Sequence, residues 1–187
     1  MLYAIKSQIN KIVNNTLLKK WKVICSPKLN IAGRLVLENY GKIIIGDNAK
    51  IISDFAFNVV GGYQKTKIYC RSGAIIRIGN NVGISNSIIT AYESITMEDN
   101  VAIGAGCLIT DSDHHSLVYN LRINGDIGKS APIILKEGAF IGAGCIILKG
   151  VTIGKHSVLG AGSVITKSIP DGELWAGNPA KFVKKVE

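Results

Sequence analysis

The chain has 187 residues, of which 47% are hydrophobic and only 6% aromatic, and its formal net charge is +9 at pH 7. This length allows one domain with a substantial core. No apolar run reaches the ~18 residues of a membrane-spanning helix, and the N-terminus lacks the continuous apolar stretch of a signal peptide. The composition therefore predicts one globular domain without a membrane span.

The four cysteines, Cys25, Cys70, Cys107 and Cys145, show neither paired nor metal-like spacing. Cysteines that fill small apolar positions behave as buried, reduced thiols. We therefore expect the protein to be cytoplasmic, either free or at the inner face of the membrane.

The N-terminal segment, residues 1–28, differs in charge from the main domain, residues 29–187. Its lysines are not balanced by any acidic residue before position 30. The spacing of its apolar residues predicts a short amphipathic helix. Either the helix packs against the domain, or it contacts a membrane surface or an anionic carrier. Nucleic acid is not expected as a partner, because no motif supports it. The apolar residues are Ile5, Ile9, Ile12, Val13 and Leu17.

A six-residue repeat runs through the last third of the chain. Aliphatic residues recur at every sixth position, and small residues follow most of them four places later. Six is a multiple of neither 3.6 nor 7, so the repeat indicates neither a helix face nor a coiled coil. The aliphatic positions are Leu135, Ile141, Ile147, Ile153, Leu159 and Ile165, and the small ones are Ala139, Cys145, Val151, Ser157 and Ser163.

Fragments of the same repeat occur earlier, where Ile45 leads to Ile51 and Ile78 leads to Ile84. Each hexapeptide would form one short strand and a turn, and three hexapeptides would form one triangular coil. A fixed short period of this kind is typical of a parallel β-helix, whose stacked coils share one narrow core. The sequence therefore predicts an all-β solenoid.

A protruding loop, residues 111–132, interrupts the repeat between Ile109 and Leu135. Solenoids accommodate insertions as loops on one face, and such loops are commonly functional. The loop carries His114 and His115 beside Asp113. Histidine exchanges a proton near neutral pH, and a neighbouring carboxylate can orient it, so the loop is a candidate site of general base catalysis.

The repeat, the Asp-Ser-Asp-His-His-Ser-Leu loop and the closing Trp-Ala-Gly-Asn-Pro-Ala-Lys of residues 175–181 resemble the hexapeptide-repeat acetyltransferases. The resemblance covers roughly residues 30–187. It is strongest to the sugar and polysaccharide O-acetyltransferase branch related to maltose and galactoside acetyltransferases.

The resemblance implies a left-handed parallel β-helix that assembles as a homotrimer, with acetyl-CoA bound between subunits and no metal. The acceptor would be a sugar hydroxyl, in the synthesis of capsule, lipopolysaccharide or another surface polysaccharide. A histidine would remove the acceptor proton while the acceptor attacks the thioester directly. Two alignments select different bases: the longer local match selects His115, and the other selects His114.

The resemblance also implies the binding residues. Asn86 and Asp113 are candidates for binding the acceptor. Lys181 and Lys184 match arginines that reach the CoA phosphates, so this chain keeps the charge there but loses the bidentate fork. The full set of predicted cofactor-binding residues is Ala143, Ala161, Thr166, Lys167, Lys181 and Lys184.

Three alternatives to sugar O-acetylation remain at this point. The first is transfer to the amine of an amino sugar or of another small molecule. A zinc enzyme on the same scaffold would need three converging histidines, and His156, the third histidine of the chain, lies in the regular repeat at an expected surface position. The third alternative is a β-helix that binds a ligand without catalysing a reaction.

Overall fold

The computed structural model describes residues 2–58, 60–61 and 63–186. Its helices are α1 (Leu2–Lys20) and α2 (Tyr119–Ile123), and Phe55–Phe57 form a single 3₁₀ turn. The strands, in chain order, are β1 (Ile24–Cys25), β2 (Asn30–Gly33), β3 (Val36–Asn39), β4 (Lys42–Ile45), β5 (Lys50–Ser53), β6 (Lys67–Cys70), β7 (Ile75–Ile78), β8 (Gly83–Ser85), β9 (Ile88–Ala91), β10 (Ser94–Met97), β11 (Ala102–Ile103), β12 (Leu108–Thr110), β13 (Ile133–Leu135), β14 (Phe140–Ile141), β15 (Ile146–Ile147), β16 (Thr152–Ile153), β17 (Val158–Leu159), β18 (Val164–Ile165), β19 (Glu173–Gly177) and β20 (Ala180–Lys185).

Successive strands lie in different sheets, and every third strand pairs in parallel with its predecessor. The first sheet has the order β1-β4-β7-β10-β13-β16, and the third has the order β18-β15-β12-β9-β6-β3. The second sheet, β2-β5-β8-β11-β14-β17-β19-β20, ends in the antiparallel β19–β20 hairpin. The chain thus climbs as stacked triangular coils, and the predicted parallel β-helix is confirmed.

The six-residue repeat forms the core of this prism. All six aliphatic repeat positions from Leu135 to Ile165 are 0% exposed. The small positions between them are equally buried, and the hydroxyl of Ser157, one of them, donates to the Pro170 carbonyl over 2.6 Å. A parallel strand buried in this way needs a β-branched or aliphatic residue on its inner face, which explains the high isoleucine content.

The three edges of the prism position the remaining features. We call the turns between the first and second sheets corner 1, those between the second and third corner 2, and those between the third and first corner 3. Corner 2 carries an insertion, residues 54–66, between β5 and β6. Corner 3 carries the longer insertion, residues 111–132, between β12 and β13, which we call the arm.

Helix α1 packs against the β-helix with the side that carries Asn14, Leu17 and Leu18. Ile5, Ile9 and Ile12 are 54%, 48% and 66% exposed. Leu18 belongs to the main buried cluster, and Asn14 is 2% exposed. The isoleucine side of the helix is therefore largely exposed, whereas Leu17 and Leu18 pack against the core. No helix in the described part of the chain is both long and apolar enough to cross a bilayer.

The buried asparagine explains this orientation. The Asn14 side-chain amide donates to the Gly33 carbonyl over 2.8 Å, and its oxygen accepts the Leu35 N–H over 3.1 Å. Gly33 ends β2, and Leu35 lies in the corner 2 turn that follows it. Buried backbone polar groups need partners, so an asparagine at this position fixes which face of the helix turns inward.

We predict that Asn14→Ala lowers the free energy of unfolding by about 1–3 kcal/mol, because two buried backbone groups lose their partner. Urea denaturation followed by circular dichroism measures the change. Asn15→Ala is the matched control, since Asn15 is exposed on the same helix, and it should stay within about 0.5 kcal/mol of the parent chain. Equal effects of the two substitutions would contradict the role of Asn14.

Candidate active site

The arm leaves corner 3 as a narrow, hydrogen-bonded extension. Ser112 and Ser130 form an antiparallel bridge at its base. One step closer to the prism, the Ala131 N–H donates to the Asp111 carbonyl over 2.9 Å. These contacts hold the two ends of the insertion together, so the arm projects from the coil in a defined direction.

The outer part of the arm is apolar and exposed. Leu117 is 83% exposed, Tyr119 65% and Ile123 61%. A single chain therefore leaves a cluster of large apolar side chains in water at the end of a projecting segment, and such clusters mark interaction surfaces.

Asp111 anchors the arm to the preceding coil. Its carboxylate is fully buried and accepts the backbone N–H groups of Tyr92 and Glu93 over 2.7 and 2.8 Å. Burial raises the pKa of the Asp111 carboxyl, because the loss of hydration outweighs the opposing effect of these hydrogen bonds. The carboxylate joins the root of the arm to the turn after β9.

His114 is held within the chain. It adopts a positive φ of 60°, and its backbone N–H donates to the Ser112 hydroxyl over 3.1 Å. Its Nε2 lies 2.7 Å from the Thr110 hydroxyl, and its ring meets the Tyr92 ring edge to face at 4.8 Å between centroids. Both the orientation of this imidazole and the environment of Nε2 are therefore defined.

His115 has the opposite environment. Its side chain is exposed, and its ring takes part in no hydrogen bond with the rest of the described chain. Its backbone is nevertheless closely packed, since a Cβ on Gly128 would lie 2.6 Å from the His115 carbonyl oxygen. The arm thus fixes the backbone of His115 while its imidazole remains open to another molecule.

Asp113, predicted to contact the acceptor, forms an ion pair with Lys149 of the next coil. Its backbone N–H also donates to the Lys129 carbonyl over 3.0 Å. Asp113 therefore ties the arm to the C-terminal part of corner 3, and an acceptor contact stays a prediction.

A row of aromatic side chains leads along the prism to the arm. Trp21, Tyr40, Tyr69 and Tyr92 have centroid separations of 5.1, 6.1 and 6.0 Å in that order, and His114 continues the row beyond Tyr92. The Arg71 guanidinium lies 5.3 Å from the Tyr92 ring centroid. Aromatic faces with a nearby charged donor suit ligands that combine apolar and polar surface, as sugars do.

Part of the predicted cofactor site forms a pocket at the same corner. Thr166, Lys167 and Lys181 line a cavity of about 250 Å³ beside the ring of Phe182. Thr166 follows β18, which lies two strands beyond β12 in the third sheet. Neighbouring strands are ~4.8 Å apart, so the pocket lies roughly 10 Å along the prism from the root of the arm.

The C-terminal hairpin brings two predicted phosphate-binding lysines to one face. Lys181 pairs with Ala176, and Lys184 pairs with Leu174, because a β-bulge shifts the register between these pairs. Paired residues of an antiparallel ladder project to the same side, and alternate residues of one strand also share a side. The bulge therefore places Lys181 and Lys184 on one face, whereas Lys185 lies on the other.

Ala143, Ala161 and Asn86 lie elsewhere, at corner 2. The Gly162 N–H donates to the Ala143 carbonyl over 2.8 Å, which stacks the two alanine turns. Asn86 is fully buried with a positive φ of 43°, and its amide donates to the Gln64 carbonyl over 2.7 Å. Asn86 thus shapes a turn of this chain, and the acceptor contact stays a prediction.

His156 lies at corner 1 with an exposed side chain, as its place in the repeat predicts. It is separated from the arm, so the three histidines of one chain do not converge. Among the described residues no group of three or more His, Cys, Asp or Glu side chains is arranged to hold a metal ion.

The sequence interpretation missed several residues of the site. Thr110 contacts His114, Lys149 holds the arm, and Tyr69 links the aromatic row. The aromatic row has no fixed spacing in the sequence because an insertion lengthens one coil. Only after each residue is assigned to a coil does the row become visible.

Comparisons with known proteins agree with this architecture. Residues 132–167 match the family described as bacterial transferase hexapeptide (six repeats). Galactoside O-acetyltransferase of Escherichia coli K12 is 35% identical over 134 residues, which is 70% of this chain and 64% of that protein. Mitochondrial gamma carbonic anhydrase 2 of Arabidopsis thaliana is 36% identical over 106 residues, 47% of this chain and 37% of that protein.

Among solved structures, a hexapeptide-repeat acetyltransferase of Vibrio cholerae O1 biovar eltor, complexed with acetyl-CoA, superposes with a TM-score of 0.59 and 32% identity. The match covers 64% of this chain and 65% of that one.

The three-sided solenoid and its six-residue repeat are consistent with these matches. The family match lies in the C-terminal coils, residues 132–167, and the chain is similar to hexapeptide-repeat acetyltransferases. The chain spans less than two thirds of the length of these curated relatives.

We predict that Asp111→Asn lowers the free energy of unfolding by about 1–3 kcal/mol. An amide has only one acceptor oxygen, so it would turn its NH₂ group toward one of the two backbone N–H groups that the carboxylate now binds. Urea denaturation measures the loss.

Asp126→Asn is the control, because exposed Asp126 accepts a single N–H, that of Gly128, over 2.8 Å. An amide oxygen can keep that bond, so a change below about 0.5 kcal/mol is expected. If Asp111→Asn also lost less than about 0.5 kcal/mol of unfolding free energy, the carboxylate would not anchor the arm.

Proposed function

We propose that this protein transfers the acetyl group of acetyl-CoA to a hydroxyl of a sugar, during the synthesis of a surface polysaccharide. The observation that carries the proposal is the position of the histidine-bearing arm. It projects from the same corner as the Thr166, Lys167 and Lys181 pocket, two coils away. The names of the galactoside O-acetyltransferase and of the acetyl-CoA-bound relative support this reaction class.

The proposed reaction is direct transfer. The imidazole of His115 accepts the proton of the acceptor hydroxyl, and the hydroxyl oxygen forms a bond to the thioester carbonyl carbon. The carbon–sulfur bond then breaks, and the CoA thiolate leaves and takes up a proton. His115 is proposed as the base because its ring is open to a ligand, whereas Nε2 of His114 already contacts Thr110.

His114 is the second candidate for the base. Its contact with Thr110 and its packing on Tyr92 orient the ring, as a catalytic imidazole requires. If His115 is the base, His114 instead positions the arm against the aromatic row.

We propose that the β-helix is left-handed and that the site is shared between subunits of a homotrimer. The predicted binding residues of one chain divide between corner 2, with Ala143 and Ala161, and corner 3, with Thr166 and Lys167. The width of the third sheet separates these corners. One acetyl-CoA groove can include both sets when corner 3 of one chain faces corner 2 of a neighbour, and the exposed apolar end of the arm offers the contact.

The aromatic row supports a sugar acceptor. Tyr92 lies directly against His114 and beneath Arg71, so an acceptor bound near the histidines would meet a ring face and a cation together. Rings of this kind pack against the apolar faces of sugars, while the guanidinium donates hydrogen bonds to hydroxyl or phosphate oxygens.

The reaction class is tested by the release of free thiol from acetyl-CoA in the presence of free sugars, nucleotide sugars and polysaccharide fragments. Product mass should rise by one acetyl group, and treatment with hydroxylamine should remove it from an O-acetylated product. An acetyl group that resists hydroxylamine would indicate N-acetylation. Absence of thiol release with every acceptor would favour a non-catalytic binding protein.

We predict that His115→Ala reduces turnover by about 10²–10⁴-fold, the usual effect of losing a general base. Light scattering should show an unchanged trimer, and acetyl-CoA affinity should be retained. His156→Ala is the matched control and should keep full activity, since His156 lies at another corner. Near-normal turnover of His115→Ala with an inactive His114→Ala would assign the base to His114.

We predict that replacing both Lys181 and Lys184 by Ala raises the KM for acetyl-CoA by about 2- to 30-fold, from two exposed charge contacts of roughly 0.2–1 kcal/mol each. The kcat should change little, because phosphate contacts are the same in the ground and transition states. The difference in KM between the double variant and the parent should shrink with added salt, because salt screens exposed charges.

Two controls accompany this measurement. Lys185→Ala removes a neighbouring charge from the opposite face of the hairpin and should leave the KM almost unchanged. Acetyl-pantetheine lacks the nucleotide phosphates, so the double variant should use it as well as the parent does. An equal loss with both thioesters would mean that the lysines support the fold rather than the cofactor.

A further inference from the structure

The outer face of α1 is an apolar surface that the chain itself does not cover. Ile5, Ile9 and Ile12 follow the i, i+4, i+7 spacing of one helix face. They are 54%, 48% and 66% exposed, while the helix turns Asn14 and Leu18 toward the β-helix. An amphipathic helix that exposes its isoleucines and buries an asparagine has an apolar face available for another partner.

The corner 2 insertion extends this surface. The rings of Phe55 and Tyr63 pack with centroids 5.4 Å apart, and they are 54% and 92% exposed. Together with Ile5 and Ile9 they line a cleft of about 650 Å³ between the helix and the insertion. We call Ile5, Ile9, Ile12, Phe55 and Tyr63 the N-terminal apolar surface.

Cations border the N-terminal apolar surface. Lys6, Arg34 and Lys65 line the same cleft. Among the described residues that line it, Asp54 is the one acidic residue. Asp54 forms an ion pair with Lys6 at 3.2 Å and also interacts electrostatically with Lys65, so this one carboxylate faces three cations. Helix α1 adds Lys11, Lys19 and Lys20 and contains no acidic residue.

We propose that the N-terminal apolar surface docks the protein on an anionic lipid membrane. Exposed isoleucines and aromatic rings, bordered by lysine and arginine, are the combination that binds at the boundary of lipid head groups and acyl chains. Each cation near an anionic leaflet adds about 1 kcal/mol. A second copy of the chain fits less well at this surface, because it would bring the same cations against those that border it.

The first experiment is sedimentation of the full-length protein with two kinds of vesicle. One kind contains phosphatidylcholine alone, and the other contains phosphatidylcholine with phosphatidylglycerol. We expect the protein to partition to the anionic vesicles and to be released as salt is raised, because the electrostatic part is screened. Absence of binding, or equal binding to both kinds of vesicle, would overturn the proposal.

Two double variants separate the apolar and electrostatic parts. Ile9→Ser with Ile12→Ser removes apolar area, and its matched control is Ile24→Ser, a residue 55% exposed on the first sheet. We expect the double variant to lose at least about tenfold in partition to anionic vesicles, from the apolar area no longer buried. Ile24→Ser should bind as the parent does.

Arg34→Ala with Lys65→Ala removes the two cleft cations. Its matched control is Lys42→Ala with Arg77→Ala, which removes one lysine and one arginine that are exposed on the first sheet. We expect about tenfold weaker partition for the cleft variant and a smaller loss for the control, since both share the reduced net charge. Equal losses would show attraction by net charge alone and overturn the docking surface.

Light scattering of the variant with Ile9→Ser and Ile12→Ser tests the competing occupant of this surface, a second copy of the chain. An unchanged oligomeric state is expected, and dissociation into smaller species would show that the surface is a subunit contact. Thermal unfolding confirms that each variant folds, as expected for substitutions of exposed side chains. Thiol release from acetyl-CoA with soluble acceptors should persist in all these variants, so membrane docking and the proposed reaction can fail independently.

Discussion

The narrow cross-section of the prism is the constraint on which the rest of the structure depends. Each strand directs one or two side chains into the core, and the positions before the next strand admit only small side chains such as Ala139 and Cys145. Parallel strands stack these positions directly over one another, so the core offers no room for a ligand. Chemistry is therefore confined to the corners and the outer faces, where the arm, the pocket and the lysine hairpin all lie.

Two adjacent histidines reach different environments because of the way the arm turns at its root. The positive φ of His114 directs its ring back onto Thr110 and Tyr92, while the next residue, His115, points away from the coil. The buried carboxylate of Asp111 holds this turn against the coil before it. A buried carboxylate is unfavourable unless its oxygens are hydrogen-bonded, so Asp111 also makes the geometry of the arm specific.

The sequence was sufficient for the inward positions and for the arm, because both depend on a local period and on its interruption. It was insufficient for features that depend on how elements meet. The spacing of Ile5, Ile9 and Ile12 correctly predicted a helix, but the packing face was decided by the Gly33 carbonyl and the Leu35 N–H of a distant turn. Similarly, Lys181 and Lys184 share a face only because of a bulge, which a three-residue spacing does not reveal.

The aromatic row connects the end of helix α1 to the arm in a fixed geometry. It begins at Trp21, directly after α1, and ends at His114 in the arm. From Tyr40 to His114 it crosses three coil steps, or roughly 15 Å at ~4.8 Å per strand. Because parallel strands at this spacing cannot slide without exposing the core, the distance between the helix and the histidines is rigid. An acceptor that used the whole row to reach His114 would therefore have to span this length, which a long saccharide can do and a short one cannot.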